Sequence, residues 1–398
     1  MIPEQMPVID TEFAQDVAAN LHYWQTYLGE RTTDDKHDFS LERLNLIYAV
    51  EFGLSLPQTA AITWDLLLTL YVLVEQAGYW TEWIPLYERA TQQTGHIPTE
   101  LHGRLLLRLG ALYRLTRQLT PAIQTHQSAA QVAQILDDQY LLASVWANLS
   151  EDYRYKRAYH EAEQYARQSL AVFRRYEAGY EAACVHNTLG LLFWGQRDWS
   201  TAEFHLRQAL EMGGRMLHVG MLARWLNNLA IILQNLEKFD EAQFYYEQAR
   251  NYLEGAADTR AHLDVLLSYG SFYAKQKHWH KAQSIFQEVE ITLRQKRLHL
   301  PAYSALVAYN LGNVLLYQNK LDEAARKLQE SIVLYRELPE QIMLARALGT
   351  LGELFLAKGR HEDAQPLYNE AITLLLVESH NPEAQQLRQA LEKQRSLE

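Results

Sequence analysis

The segment Leu189-Gly190-Leu191-Leu192-Phe193, with Ala202 following after a polar turn, returns twice further along the chain. It returns as Leu311-Gly312-Asn313-Val314-Leu315 before Ala324 and as Leu351-Gly352-Glu353-Leu354-Phe355 before Ala364. Anchored on the small residue, the series runs Gly110, Ser150, Gly190, Ala230, Gly270, Gly312 and Gly352, in steps of 40 residues with one of 42. Twelve residues after each anchor stands an alanine: Ala122, Ala162, Ala202, Ala242, Ala282, Ala324 and Ala364. Three residues after each anchor stands a large apolar or aromatic side chain: Tyr113, Tyr153, Phe193, Leu233, Tyr273, Leu315 and Phe355. An eighth, degenerate copy precedes these, with Tyr71 and Trp83 in the two small places and Tyr87 and Ala90 behind them. Self-similarity at such a period marks stacked units, each burying its apolar face on its neighbours.

Small residues at two fixed places predict a pair of helices that approach closely there, with the large residue filling the space beside the contact. A polar turn such as Gln196-Arg197-Asp198 or Lys358-Gly359-Arg360 separates the two helices. Trp80, Tyr159, Trp199, Phe239 and Trp279 close these turns and read as plugs between repeats rather than as a ligand cage. The pattern Leu-Gly-x-x-aromatic, then alanine, aromatic and alanine, resembles the tetratricopeptide repeat (TPR), whose standard unit is about 34 residues. HEAT repeats share the longer period, but the two small places favour TPR. A unit of this length implies longer helices, similar to the TPRs of kinesin light chains and of the sensor arms of bacterial NB-ARC or STAND regulators. The stretch LERLNLIYAVEFGL running into GYWTEWIPLYERA also looks like the junction before such sensor arms. The resemblance covers roughly residues 64–375. It implies an all-α fold: a right-handed superhelical solenoid of about eight helix-turn-helix repeats, with helical caps at both ends.

The expected organisation is an N-terminal helical cap over 1–60, the array over 61–378 and a capping helix over 379–398. The N-terminal cap reads as two amphipathic helices, 9–30 and 40–54, separated by the polar stretch Arg31-Thr32-Thr33-Asp34-Asp35-Lys36, with Leu41, Leu44, Ile47 and Val50 facing the first repeat. Asn381-Pro382 is a good N-cap and first-turn pair for the last helix. The 398 residues therefore measure repeat number rather than two or three globular domains.

Composition fits this reading. The chain is 48% hydrophobic with only 18 Gly and 10 Pro, so it can bury a large core and favours helix. The lone cysteine, Cys184, excludes an internal disulfide framework and reads as a buried, inert thiol. No apolar run approaches the roughly 20 residues that span a bilayer. The start MIPEQMPVIDTEFAQD has no basic-then-apolar leader, so the expectation is a soluble cytoplasmic protein with no membrane partner. A formal charge of −11 makes duplex nucleic acid an unlikely partner. The second and third repeats alone are locally basic, through Arg104, Arg108, Arg114, Arg117, Arg154, Lys156 and Arg157, with aromatics that could stack on single-stranded bases.

The chain contains no GxxxxGK[ST], HExxH, GxSxG or strand-linked GxGxxG motif, so no catalytic residue or cofactor is expected. His278 and His280 flank Trp279 in a turn without converging further ligands, so no metal is expected either. Glu151 and Glu353 are isolated acids and the weak basis of an enzyme reading.

In TPR proteins the concave surface is lined by the first helix of each repeat. The resemblance places its inward side chains at the second, fifth, sixth, ninth and twelfth places, counting the anchor as eighth. Those places hold Asn187 and Asn227; Asn148, Asn228 and Asn310; Asn313; Arg114 and Arg154; and Arg104 and Arg224. Trp194, Gln234 and Tyr317 complete the lining. Asparagine lowers helix stability relative to alanine, so its repetition on one face asks for a reason. Its amide both donates and accepts, which suits gripping the backbone of an extended peptide, and the arginines would add forks for a carboxylate. The plainer alternative is that these residues bridge neighbouring helices. The leading expectation is a non-enzymatic scaffold that binds a protein or peptide, acidic or with a free carboxylate, in this groove. The alternative is a ligand-sensing arm that controls a separate ATPase or DNA-binding partner.

Overall fold

The computed structural model describes residues 11–29, 39–77, 79–213, 219–254, 258–295, 300–378 and 381–396. Among the described residues there are nineteen helices and no strand. Two helices come first, α1 (Thr11–Gly29) and α2 (Phe39–Ser55). Eight hairpins follow: α3 (Ala60–Ala77) with α4 (Trp80–Thr94), α5 (Glu100–Leu115) with α6 (Leu119–Ile135), α7 (Gln139–Tyr155) with α8 (Tyr159–Arg175), and α9 (Gly179–Gly195) with α10 (Trp199–Gly213). Then come α11 (Val219–Asn235) with α12 (Phe239–Leu253), α13 (Thr259–Lys275) with α14 (Trp279–Gln295), α15 (Pro301–Tyr317) with α16 (Leu321–Arg336), and α17 (Gln341–Ala357) with α18 (His361–Val377). A last helix, α19 (Pro382–Ser396), ends the chain. The chain forms two compact units, Met1–His262 and Leu263–Glu398, each a row of hairpins. This is the all-α, TPR-like solenoid class.

The residue that turns each hairpin is fixed seven places after the anchor. Arg117, Arg157, Arg197, Glu237, Lys277, Asn319 and Gly359 all carry a φ between +60° and +71°. In the first of these turns the Gln118 N–H reaches the Tyr113 carbonyl and the Arg117 N–H that of Arg114, the paired bonds of a Schellman stop. Six of the seven turns hold this left-handed backbone without glycine.

The anchors let the helices approach as expected, with the Ala202 carbonyl 3.4 Å from the Cβ position of Gly190, and they do one thing more. The two small residues do not simply face each other. The position of a Cβ on Gly190 lies 2.6 Å from Leu206, on Gly270 2.5 Å from Phe286, and on Gly312 2.7 Å from Leu328. On Gly110 it would meet the His126 ring and on Gly352 the Tyr368 ring. Each partner stands four places after the repeat's alanine. The anchor is therefore a socket for a large side chain of the second helix, and the alanine, fully buried in all seven repeats, allows that helix to seat. The residue three after the anchor packs against the one three after the alanine: Tyr153 stacks on Tyr165 at 5.6 Å and Phe193 on His205 at 5.5 Å. In the degenerate hairpin Tyr71 and Trp83 are both buried, and the Tyr87 hydroxyl donates to the Leu67 carbonyl at 2.6 Å.

Second helices pack on the first helix of the next hairpin: α4 on α5, α6 on α7, α8 on α9 and α10 on α11 in the first unit, and α14 on α15 and α16 on α17 in the second. First helices also touch one another directly: α3 to α5, α5 to α7, α7 to α9 and α9 to α11 in the first unit, and α15 to α17 in the second. Within each unit these first helices carry the candidate residues that the sequence places on them. At the start of the first unit, α1 and α2 pack on α3. Leu46, Ala49, Val50 and Leu54 form the buried stripe of α2, while Ile47 is half-buried. Leu44, expected to face the first repeat, is exposed instead, because it lies two residues from Leu46 and so on the opposite side of the helix. The Leu41 side chain and the stretch 31–36 lie outside the described residues. At the other end the Asn381 side chain accepts from the Glu383 N–H at 3.0 Å, and α19 packs Leu391 against Gly349.

Candidate binding face

The inner face of the first unit divides by chemistry. On α5 and α7 it is charged and already paired. Arg114 donates to the Asp152 carboxylate at 3.0 Å and to the Asn148 amide oxygen at 3.0 Å. Asp152 is fully buried and also accepts from His126 Nδ1, while His126 Nε2 faces the Leu107 carbonyl at 3.2 Å. Both ring nitrogens of His126 thus face an oxygen of the chain. Burial opposes the charge of Arg114, yet Asp152 and Glu151 hold it above its ordinary range. Arg154 ion-pairs with Glu151 at 2.5 Å and lies over the Tyr155 ring. Burial pushes the Glu151 carboxyl up, but Arg154 and Arg114 outweigh it and hold it below the usual carboxylate range.

The remaining arginines are engaged too. Arg104 stands 3.7 Å from Glu100, and Arg224 stands 3.6 Å from Asp258. Arg108 covers the Tyr71 ring and Arg117 the Tyr155 ring, so two aromatic faces of the basic patch are taken. The four arginines of the candidate set each meet a carboxylate of this chain.

On α9 and α11 the same face is neutral apart from Arg224, near the start of α11 and paired with Asp258. Asn228 donates to the Asn187 amide oxygen at 3.2 Å across neighbouring first helices. Around this pair the Tyr180 hydroxyl donates to Met221 Sδ at 3.3 Å, and that of Tyr140 to Glu181 at 2.6 Å. Asn227 is 6% exposed, and its amide oxygen has no hydrogen-bond partner among the described residues. Trp194 is exposed at the end of α9. Gln234 turns into its own hairpin, where it accepts from the Tyr246 hydroxyl at 3.3 Å. In the second unit Asn310 and Asn313 are half-buried, and Tyr317 stacks on Trp279 at 4.6 Å with the rings 5° apart. The stacked Trp279, and Tyr159 lying against Gly195, act as plugs on the following repeat. Phe239 is exposed.

One contact closes the first unit across many hairpins. The Arg260 guanidinium, at the start of α13, lies over the Trp80 ring at 4.4 Å, although 180 residues separate them. Trp80 is itself held by its indole N–H to the Glu75 carbonyl at 3.1 Å.

Burial pushes the Cys184 thiol up to about 12, against the opposing hydrogen bond of Tyr180, which leaves little thiolate at neutral pH. Glu353 accepts from Gln394 of the last helix. Sequence reasoning missed Asp152 and His126. The available signal was His126 itself, a polar residue where other repeats have Leu206, Phe286 or Leu328.

TPR family models match residues 141–213 and 303–376, and a second TPR model matches residues 222–254. The chain is 23% identical over 335 residues to Protein KINESIN LIGHT CHAIN-RELATED 1 of Arabidopsis thaliana, covering 78% of this chain and 54% of that protein. It thus spans about half the length of this curated relative. Among solved structures, the STAND protein with a TPR sensor from Pyrococcus horikoshii aligns over 95% of this chain and 55% of its own, with TM-score 0.63 and 11% identity. The apo quorum sensor NprR of B. thuringiensis aligns over 92% of this chain and 100% of its own, with TM-score 0.61 and 16% identity. NprR in complex with its cognate peptide NprX aligns over 75% and 83%, with TM-score 0.51 and 12% identity. The sockets, the turns and these matches agree: the chain contains tetratricopeptide repeats, matched over residues 141–213, 222–254 and 303–376.

Proposed function

We propose that this chain is a non-enzymatic scaffold that binds an extended peptide of a protein partner along its row of first helices. The array over 61–378 does the binding, flanked by caps over 1–60 and 379–398. The observation that carries the reading is the pairing of Asn187 and Asn228 across α9 and α11, beside the buried and unsatisfied amide oxygen of Asn227. One hydrogen bond leaves a primary amide with spare donors and acceptors, which a peptide backbone can use. NprR, a structural neighbour, has been solved with its cognate peptide. Asn148, Asn310, Asn313, Trp194 and Tyr317 extend the same lining. A ligand carboxylate is a secondary feature of this reading, since Arg104, Arg114, Arg154 and Arg224 all meet acids of this chain.

The test is calorimetry with a peptide selected on the full chain from a random display library. The double variant Asn187→Ala, Asn228→Ala should lose about tenfold in affinity, roughly one hydrogen bond's worth, while the fold remains intact with a stability loss of about 1 kcal/mol or less. Unaltered affinity refutes the groove.

The contact of Arg260 with Trp80 favours a second reading, a sensor arm that controls a separate ATPase or DNA-binding partner. A ligand entering the first unit would break or tighten this clasp, and each repeat passes strain only to its neighbours. Small-angle scattering profiles that are identical with and without the bound peptide would reject it.

A further inference from the structure

Between α1 and α2, away from the row of first helices, lies an open cavity of about 410 Å³. Its walls include Asp16, Asn20, Trp24, Asn45, Tyr48 and Phe52. Trp24 is 5% exposed, and its indole N–H has no acceptor among the described residues. A buried donor left unpaired is uncommon, and a cavity beside it is where an acceptor can arrive from outside. Tyr48 and Phe52 are half-exposed, and Phe13 sets its ring edge-on to Phe52 at 5.8 Å, so aromatic surface is presented rather than buried.

The charge of the two helices is one-sided. They carry Glu12, Asp16, Glu42 and Glu51 against one permanent cation, Arg43. Arg43 is spent elsewhere, paired with Glu82 and lying over the Tyr79 ring. Aromatic rings beside a carboxylate attract a cation that has an apolar stem, because the ring quadrupole and the acid act together while the stem covers carbon. We propose that this cavity captures an arginine or lysine side chain presented by a protein partner, with a backbone carbonyl of that partner accepting from Trp24. Asn20 and Asn45 then hold the adjoining backbone. The site is separate from the Asn-lined face, so either can fail without the other.

The experiment follows the Trp24 indole N–H by NMR in the full chain, the resonance being identified by its loss in Trp24→Phe. The probes are N-acetyl-arginine methylamide and N-acetyl-glutamate methylamide. The arginine probe should shift the resonance in a saturable way, and the glutamate probe should leave it in place. Asp16→Asn, a change at an exposed rim position that spares the fold, should weaken the arginine probe about three- to tenfold. Asn187→Ala with Asn228→Ala should change nothing at this resonance. Three results would overturn the proposal: no shift with the arginine probe, equal shifts with both probes, or a response indifferent to Asp16→Asn. A resonance that broadens with protein concentration alone would instead make the cavity a contact between two copies of the chain, which also overturns it.

Discussion

The two stretches of the candidate face, charged on α5 and α7 and largely neutral on α9 and α11, where Arg224 is the one cation, share a backbone and differ in what their side chains have left to offer. Arg114 has spent its donors on Asp152 and Asn148, and Arg154 has spent its own on Glu151. Asn187 and Asn228 share one hydrogen bond between two amides. A charge on a half-buried face recruits a partner from its own chain, because an unpaired buried charge is far more costly than an unpaired amide. The charged stretch therefore reads as architecture and the neutral stretch as the open one.

The largest expected effect tests that division. Asp152→Ala leaves Arg114 and His126 without their shared carboxylate inside the repeat, and should cost about 3–5 kcal/mol in urea unfolding. Asn228→Ala, at a half-buried position on the neutral stretch, should cost about 1 kcal/mol or less. If the two costs are equal, the division has no energetic basis.

The core side of the neutral stretch gives the next effect. His186 on α9 and His205 on α10 face each other, Nδ1 to Nδ1, at 3.0 Å, with both rings buried. One nitrogen donates and the other accepts, so the accepting ring must be neutral and the pair cannot hold two protonated rings. Burial, His186 and Arg167 push His205 down to about 4. The unfolded imidazole titrates near 6.5. Between those two values the unfolded chain takes up a proton that the folded chain refuses. Stability is thus full above about pH 6.5 and falls as the pH drops towards 4, by about 1.4 kcal/mol per unit and about 3 kcal/mol in all. Melting temperatures across this range should fall for the natural chain and less steeply for His205→Leu. A flat profile would show that charge is tolerated behind the neutral stretch as well.

Exchanging the character of one stretch gives a smaller effect. Glu151→Gln removes the carboxylate that occupies Arg154, and should strengthen binding of a peptide with a free C-terminal carboxylate about three- to tenfold by calorimetry. No gain would mean that Arg154, held over the Tyr155 ring, cannot turn to a ligand.

The repeat was legible because the fold imposes it at many places at once. A socket residue, an alanine and a turn at fixed spacing each need a particular size, and seven copies repeat the demand. The meaning of the socket was not legible. Gly190 and Ala202 look like mutual neighbours in the linear pattern, whereas the side chain that fills the socket is Leu206. The candidate residues could be named from their place in the repeat, but their pairing could not. Arg114 with Asp152 and Asn228 with Asn187 join residues about one repeat apart, on helices that meet only after stacking. Gln234 shows the limit of position alone, since it occupies an inner place yet turns into its own hairpin.

The smallest effect lies in the turns, where the two stretches can be compared on identical backbone. Arg117 ends α5 at φ 63° and Glu237 ends α11 at φ 60°. A side chain in this left-handed region costs about 1–2 kcal/mol, which glycine avoids. Glycine also loses more backbone freedom on folding, which takes back roughly half of that gain. Glu237 is exposed and its side chain has no partner among the described residues, so Glu237→Gly should raise stability by about 0.5–1 kcal/mol. Arg117 lies over the Tyr155 ring at 4.6 Å, a contact worth about 0.5–1 kcal/mol at an exposed site. Arg117→Gly trades that contact for the relief of strain and should come out near neutral. The comparison therefore rests on the difference between the two variants, measured together by urea unfolding. Equal gains would show that the stacked arginine contributes nothing to the charged stretch, and that its cations are held by carboxylates alone.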